Sequence, residues 1–264
     1  MRVFFFSYFV FAAIYLAYLW TFPEYVSQIK ETVLPVELSA LLKALPILSL
    51  ACFCQTSYAS PCIVSLRNFV TFGLIFSAAG DVFLELDNDK YFVNGLGSFL
   101  IAHVLYIGAF LVKEVPGCKP VSRGKKIITG MVLFSFYVSI LFNILLPSLR
   151  ALNKEDFIIP VSIYAFAIVV MTWCAYVRGE SRGFVGAGFF VISDFLLAWN
   201  KFVEPIAYGH RYVMATYYMA QLLITLSSTI SPGEHVQKNA EQVPIKPKLS
   251  KKPEDGARRR TRKI

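Results

Sequence analysis

Charge is scarce in this sequence. Only 16% of its 264 residues are Asp, Glu, Lys or Arg, where a soluble domain carries about 25%. Histidine is scarcer still: there are three, one of them in the C-terminal tail, which speaks against a His-rich metal site. The five cysteines are Cys52, Cys54, Cys62, Cys118 and Cys174. They are odd in number and fall in apolar stretches or on the predicted cytosolic side, which argues against a disulfide framework. Cys52-x-Cys54 lacks the spacing of a zinc knuckle. The signals of soluble catalysis are missing too. There is no Gly-x-Ser-x-Gly elbow, no Walker loop, no His-Glu-x-x-His and no dinucleotide fingerprint. Asn68-Phe-Val has no Ser or Thr to complete a glycosylation site.

Apolar residues fill the space that charge leaves. They make up 56% of the chain, and mean hydropathy is +0.56. A bilayer crossing needs about 20 apolar residues, and eight stretches meet that need: 3–20, 38–54, 67–86, 96–112, 127–147, 158–177, 184–203 and 211–230. The expected fold is all-α, a polytopic transmembrane helical bundle of eight spans. The first stretch is long and aromatic with no small-x-small cleavage site after it, so it reads as a retained anchor rather than a signal peptide. Residues 1–230 form the expected transmembrane domain. Residues 231–264 read as a disordered, basic cytoplasmic tail.

The net charge of +9 does not point to nucleic acid, because ten of the 26 basic residues lie beyond Ser231. A polybasic segment beside a membrane is suited to contact with anionic lipids and to fixing topology. With the N terminus inside, the inner segments hold 19 basic residues and the outer loops six. That excess places both termini in the cytosol.

Two carboxylates interrupt the apolar stretches: Asp81 in Gly80-Asp81-Val-Phe-Leu84 and Asp194 in Ser193-Asp194-Phe-Leu-Leu. A charge at the centre of a bilayer costs about 2.5–3.5 kcal/mol on insertion scales, so acids kept there are candidates for function. Asp81 lies 14 residues past Arg67, about 21 Å along a helix. Asp194 lies 11 residues past Gly183, about 16 Å along its own. Each is followed by a short loop and a span with a polar stripe. His103 and Tyr106 share one helix face, as do Tyr218, Gln221 and Thr225. Asp81 to Tyr106 is 25 residues and Asp194 to Gln221 is 27. Spans 3–4 then correspond to spans 7–8 in a parallel 4+4 repeat, a known plan with sites at the repeat interface. Glu85 stands one turn beyond Asp81. Lys43 sits in span 2 just before Pro46, where it can snorkel outward or pair with a carboxylate or a lipid phosphate. Gly186-x-Gly188 reads as close helix contact.

A low-dielectric pocket favours the neutral carboxyl, so one protonated and one ionised Asp would make a general acid and base. The same groups could relay protons in a transporter or sensor, and stripes of Tyr and Gln also serve as helix glue. The residues alone leave these alternatives open.

Taken in order, Gly80-Asp81-Val-Phe-Leu84, Gly95-Leu-Gly-Ser-Phe-Leu-Ile-Ala-His103-Val-Leu-Tyr106, Ser193-Asp194-Phe-Leu-Leu and Tyr217-Tyr218-Met-Ala-Gln221-Leu-Leu-Ile-Thr-Leu-Ser227 resemble the YhhN-like, lysoplasmalogenase family of membrane proteins. Lys43-Ala-Leu-Pro46 is similar to that family's Lys-Pro-Leu-Pro stretch, with Ala44 in place of its first proline. The resemblance covers residues 38–230. It implies a hydrolase that cleaves the vinyl ether of lysoplasmalogens, giving a fatty aldehyde and the glycerophospho-head group, with the endoplasmic reticulum as its residence. On that reading Asp81 and Asp194 are the catalytic pair. His103, Tyr106, Tyr218 and Gln221 orient water or the head group, and Lys43 holds the phosphate. The chemistry requires neither metal nor redox cofactor.

Overall fold

A computed structural model describes residues 1–21, 35–57, 61–86, 90–112 and 118–229. All regular structure among the described residues is helical. Eight long helices follow in chain order: α1 (Arg2–Thr21), α2 (Val36–Thr56), α3 (Pro61–Leu86), α4 (Phe92–Leu111), α5 (Arg123–Ala151), α6 (Ile158–Arg178), α7 (Ser181–Phe202) and α8 (Gly209–Ser228). Each coincides with one expected span. The basic tail, 231–264, lies outside the described residues. Seven of the helices, α1 to α7, are long and apolar enough to cross a membrane. α8 is of equal length, 20 residues, but carries His210, Arg211, Gln221 and several hydroxyls. Polar side chains on a buried helix need partners inside the protein; on α8 the hydroxyls of Tyr217 and Tyr218 and the Gln221 Oε1 have them, while Gln221 Nε2 has none among the described residues.

Local chemistry sets the helix ends. Gly179 ends α6 in the left-handed region, φ 78°, where a residue without Cβ carries no steric cost. Glu180 then caps α7, accepting the Gly183 N–H at 2.6 Å, so one dipeptide stops one helix and starts the next. In α5, Pro147 cannot donate a hydrogen bond and would crowd the carbonyl four residues earlier. The helix widens there, through Leu141–Leu145, with Leu146 N–H bonded to the Leu141 carbonyl, a π-type turn that relieves the clash.

α8 lies at the centre, packed against α7 and also against α1, α2 and α3. α3–α4 and α7–α8 are the two most extensive helix pairs, the same pairs that the sequence repeat sets in correspondence. Gly186 permits one of them: a Cβ there would stand 3.0 Å from the Ala220 carbonyl and from Ile224. Gly188 faces open space, so only the first glycine of Gly186-x-Gly188 serves helix contact. α1 is tied into the bundle by Tyr8, whose hydroxyl donates to the Tyr218 carbonyl at 2.8 Å. α5 is peripheral. No side chain of Arg123–Ile140 is buried, and it packs chiefly against α6, held by Trp173 donating to the Lys126 carbonyl at 3.0 Å and Tyr137 to the Ser162 carbonyl at 3.2 Å.

Candidate active site

Asp81 sits on α3 five residues from its C-terminal end and is 2% exposed. Its Oδ2 accepts the Tyr217 hydroxyl of α8 at 2.7 Å. One turn further on, Glu85 gathers a second set of groups. It accepts Ser39 Oγ at 2.5 Å and Tyr15 at 3.3 Å, and it pairs with Lys43 Nζ at 3.4 Å. The Lys43 and Glu85 side chains are 5% and 7% exposed. Lys43 therefore does not snorkel: it is folded inward onto Glu85, and its own carbonyl accepts the Tyr218 hydroxyl at 2.9 Å.

Asp194 sits two-thirds of the way along α7 and belongs to a different set. Its Oδ2 accepts the Tyr164 hydroxyl of α6 at 2.5 Å. Tyr164 in turn meets His103 Nε2 of α4 at 3.0 Å, and His103 Nε2 is itself 3.6 Å from Asp194 Oδ2. Tyr164 has one proton, and it goes to Asp194, so His103 is assigned the tautomer that donates from Nε2. The result is a directed chain, His103 to Tyr164 to Asp194. His103 Nδ1 has no hydrogen-bond partner among the described residues.

Tyr106 and Gln221, one from each polar stripe, meet each other: the Tyr106 hydroxyl donates to Gln221 Oε1 at 2.7 Å. The acids are crossed between the two helix pairs. Asp81 of α3 is bonded from α8, and Asp194 of α7 lies beside His103 of α4. An aromatic run joins the two acid sets. Tyr217 packs edge-on against Phe190 at 5.5 Å, and Phe190 against His103 at 4.7 Å, centroid to centroid. The sequence stripes thus divide by partner. His103 serves Asp194, Tyr106 and Gln221 serve each other, and Tyr218 fixes the backbone of α2.

Beside Asp194 runs a cleft between α5 and α7, helices with no extensive contact of their own, to which α4, α6 and Leu84 of α3 add lining. Its cavity volume is about 110 Å³, and about 1000 Å³ of empty space is reached when the open side is counted. Its wall is apolar save for a few groups, among them Tyr164, Asp194 and Lys201. The Asp194 side chain is 15% exposed. Asp81, Lys43, His103, Tyr106, Tyr218 and Gln221 do not line it.

Sequence reasoning missed Tyr164 and the role of Tyr217. Tyr217 stood in the quoted motif, next to Tyr218, and the period of α8 gave no reason to prefer it. Tyr164 is one of four hydroxyl residues in an apolar span, with Ser162, Thr172 and Tyr176, and nothing in their spacing singles it out. Among the described residues no group of three His, Cys, Asp or Glu is placed to hold a metal ion.

Residues 38–228 match the YhhN family. Human "Lysoplasmalogenase TMEM86B" is 35% identical, over 74% of this chain and 76% of its own length. Human "Lysoplasmalogenase TMEM86A" is 34% identical, over 76% of this chain and 83% of its own. A "Lysoplasmalogenase" of Mycobacterium tuberculosis is 28% identical, over 60% and 59%. No solved structure matches the chain.

Proposed function

The chain belongs to the YhhN family, and from that premise we propose that it is a membrane-embedded lysoplasmalogenase: a hydrolase that opens the vinyl ether of alkenyl-glycerophosphocholine or -ethanolamine to a fatty aldehyde and the glycerophospho-head group. The observation that carries this reading is Asp194, a carboxylate in the wall of an otherwise apolar cleft, backed by the Tyr164–His103 chain. A single-chain lipid fits such a cleft: its hydrocarbon needs the apolar wall, and its reactive bond needs an acid group at the edge of that wall.

A vinyl ether is opened by acid. Asp194 delivers a proton to the β-carbon, and the α-carbon and ether oxygen become an oxocarbenium ion. The carboxylate it leaves stabilises that cation and takes a proton from the water that adds. The hemiacetal then passes its hydroxyl proton by way of Asp194 to the ether oxygen and breaks its C–O bond to the glycerol, giving aldehyde and alcohol with Asp194 protonated as at the start. In this scheme Asp194 is the group that reaches the substrate, and Asp81, which does not line the cleft, acts from the polar interior behind it. His103, through Tyr164, orients Asp194. Lys43, Tyr106, Tyr218 and Gln221 shape the polar interior beside Asp81, where water is held.

The proposed residence is the endoplasmic reticulum with both termini in the cytosol, where the basic tail can contact anionic lipids. Purified protein is expected to release aldehyde from lysoplasmenylethanolamine. Asp81→Asn and Asp194→Asn should each abolish release while the folded yield stays constant. Full turnover in either variant removes that residue from the chemistry. Proton-driven solute flux in proteoliposomes without lipid turnover would favour a transporter instead.

A further inference from the structure

The sequence points to Lys43 as the phosphate holder, but the Lys43 ammonium is buried on Glu85 and does not border the cleft. Lys201 does border it. Its ammonium stands over the Phe92 ring, 4.7 Å from the centroid, and Phe92 is itself part of the cleft wall. Lys201 lies near the C-terminal end of α7, so it marks the end of the cleft where the bilayer gives way to its interface.

Asp194 and Lys201 are seven residues apart on α7. Two turns bring them to the same face, separated by about 10 Å along the axis. Ala198, between them on that face, also lines the cleft, as does Val191 one turn on the other side of Asp194. In a lysoplasmalogen, five bonds separate the vinyl ether oxygen from the phosphorus, an extended distance of about 6 Å at ordinary bond lengths. A charge-assisted contact of about 2.8 Å and the reach of the lysine stem make up the difference.

We propose that Lys201 receives the phosphate of the substrate, so that one face of α7 reads the lipid along its length: hydrocarbon at Val191, vinyl ether at Asp194, glycerol at Ala198, phosphate at Lys201. This rests on the reading of the cleft as the lysoplasmalogen site and adds a preference to it. The protein selects lipids that carry a phosphate over neutral alkenylglycerols of the same chain.

The test compares lysoplasmenylethanolamine with 1-alkenylglycerol in mixed micelles, for the wild type, Lys201→Gln and Lys201→Arg. The kcat/KM ratio of the two substrates is expected to fall about tenfold in Lys201→Gln, as for the loss of one hydrogen bond to a charged group. The change should lie mainly in KM, and Lys201→Arg should restore the ratio. An unchanged ratio, or an equal loss on both substrates, overturns the proposal. A second arm needs no turnover: equilibrium binding of 1-acyl-lysophosphatidylethanolamine against monoacylglycerol by the same three proteins. A Lys201-dependent preference for the phosphate lipid without any aldehyde release would sink the lysoplasmalogenase reading and uphold only the phosphate contact at Lys201. No preference in binding overturns this one whatever the turnover.

Discussion

Tyr164 is the residue on which the site turns, because it is the link between His103 and Asp194. Tyr164→Phe keeps the ring and removes the link. Loss of a hydrogen bond to a charged group is worth about 1.5–3 kcal/mol; if that loss falls on the transition state, aldehyde release per folded protein should drop about tenfold to a hundredfold. Wild-type turnover in Tyr164→Phe would show that the chain is not used. Lys43 and Glu85 make the opposite kind of prediction. Removing one member of a buried ion pair typically costs about 3–5 kcal/mol, so Lys43→Met or Glu85→Gln alone should lower the unfolding midpoint sharply. The double substitution, which strands no charge, should recover much of the loss. The acids and the His103, Tyr106 and Gln221 stripes were legible in the sequence because a polar group in an apolar span is itself an anomaly. Which stripe serves which acid was not legible. Periodicity reports the face of one helix, and partners are decided by how different helices abut.

Helix positions were readable to within about six residues, the widest miss being the start of α3 at Pro61 rather than Arg67, since hydropathy and length are the properties a bilayer selects. The close approach of α7 to α8 was half readable: Gly186 holds it and Gly188 does not. Gly186→Ala places a methyl group against the Ala220 carbonyl and Ile224. Overpacking of that kind costs about 1–3 kcal/mol and should appear as a lower unfolding midpoint. Gly188→Ala, facing open space, should leave the midpoint unchanged. The expected repeat pairs Asp81 with Asp194 but says nothing of their crossed partnership, in which each acid is met from the other helix pair. That crossing depends on three-dimensional arrangement, to which sequence spacing is blind. The widened turn of α5 at Leu141–Leu145 was likewise foreshadowed only by Pro147. Its effect is local, and it helps to shape the wall of the cleft, which Leu141, Ile144 and Leu145 line.

At the scale of the whole molecule, the candidate site lies within the helices and ten of the 26 basic residues lie in the tail. Truncation after Ser231 should therefore leave aldehyde release by purified protein intact. Retention on anionic vesicles should fall, because each Lys or Arg near such a surface is worth about 1 kcal/mol. Loss of turnover on truncation would place an essential part of the site beyond the helices. The cleft has a different consequence. It lies between α5 and α7, among membrane-spanning helices, with one side open. Occupancy is then governed by the mole fraction of substrate in the membrane plane and not by its amount per litre. Filling the cleft is an exchange in which an ordinary lipid tail leaves as the substrate tail arrives. Added inert phospholipid, at constant total substrate, slows such a protein by dilution in two dimensions.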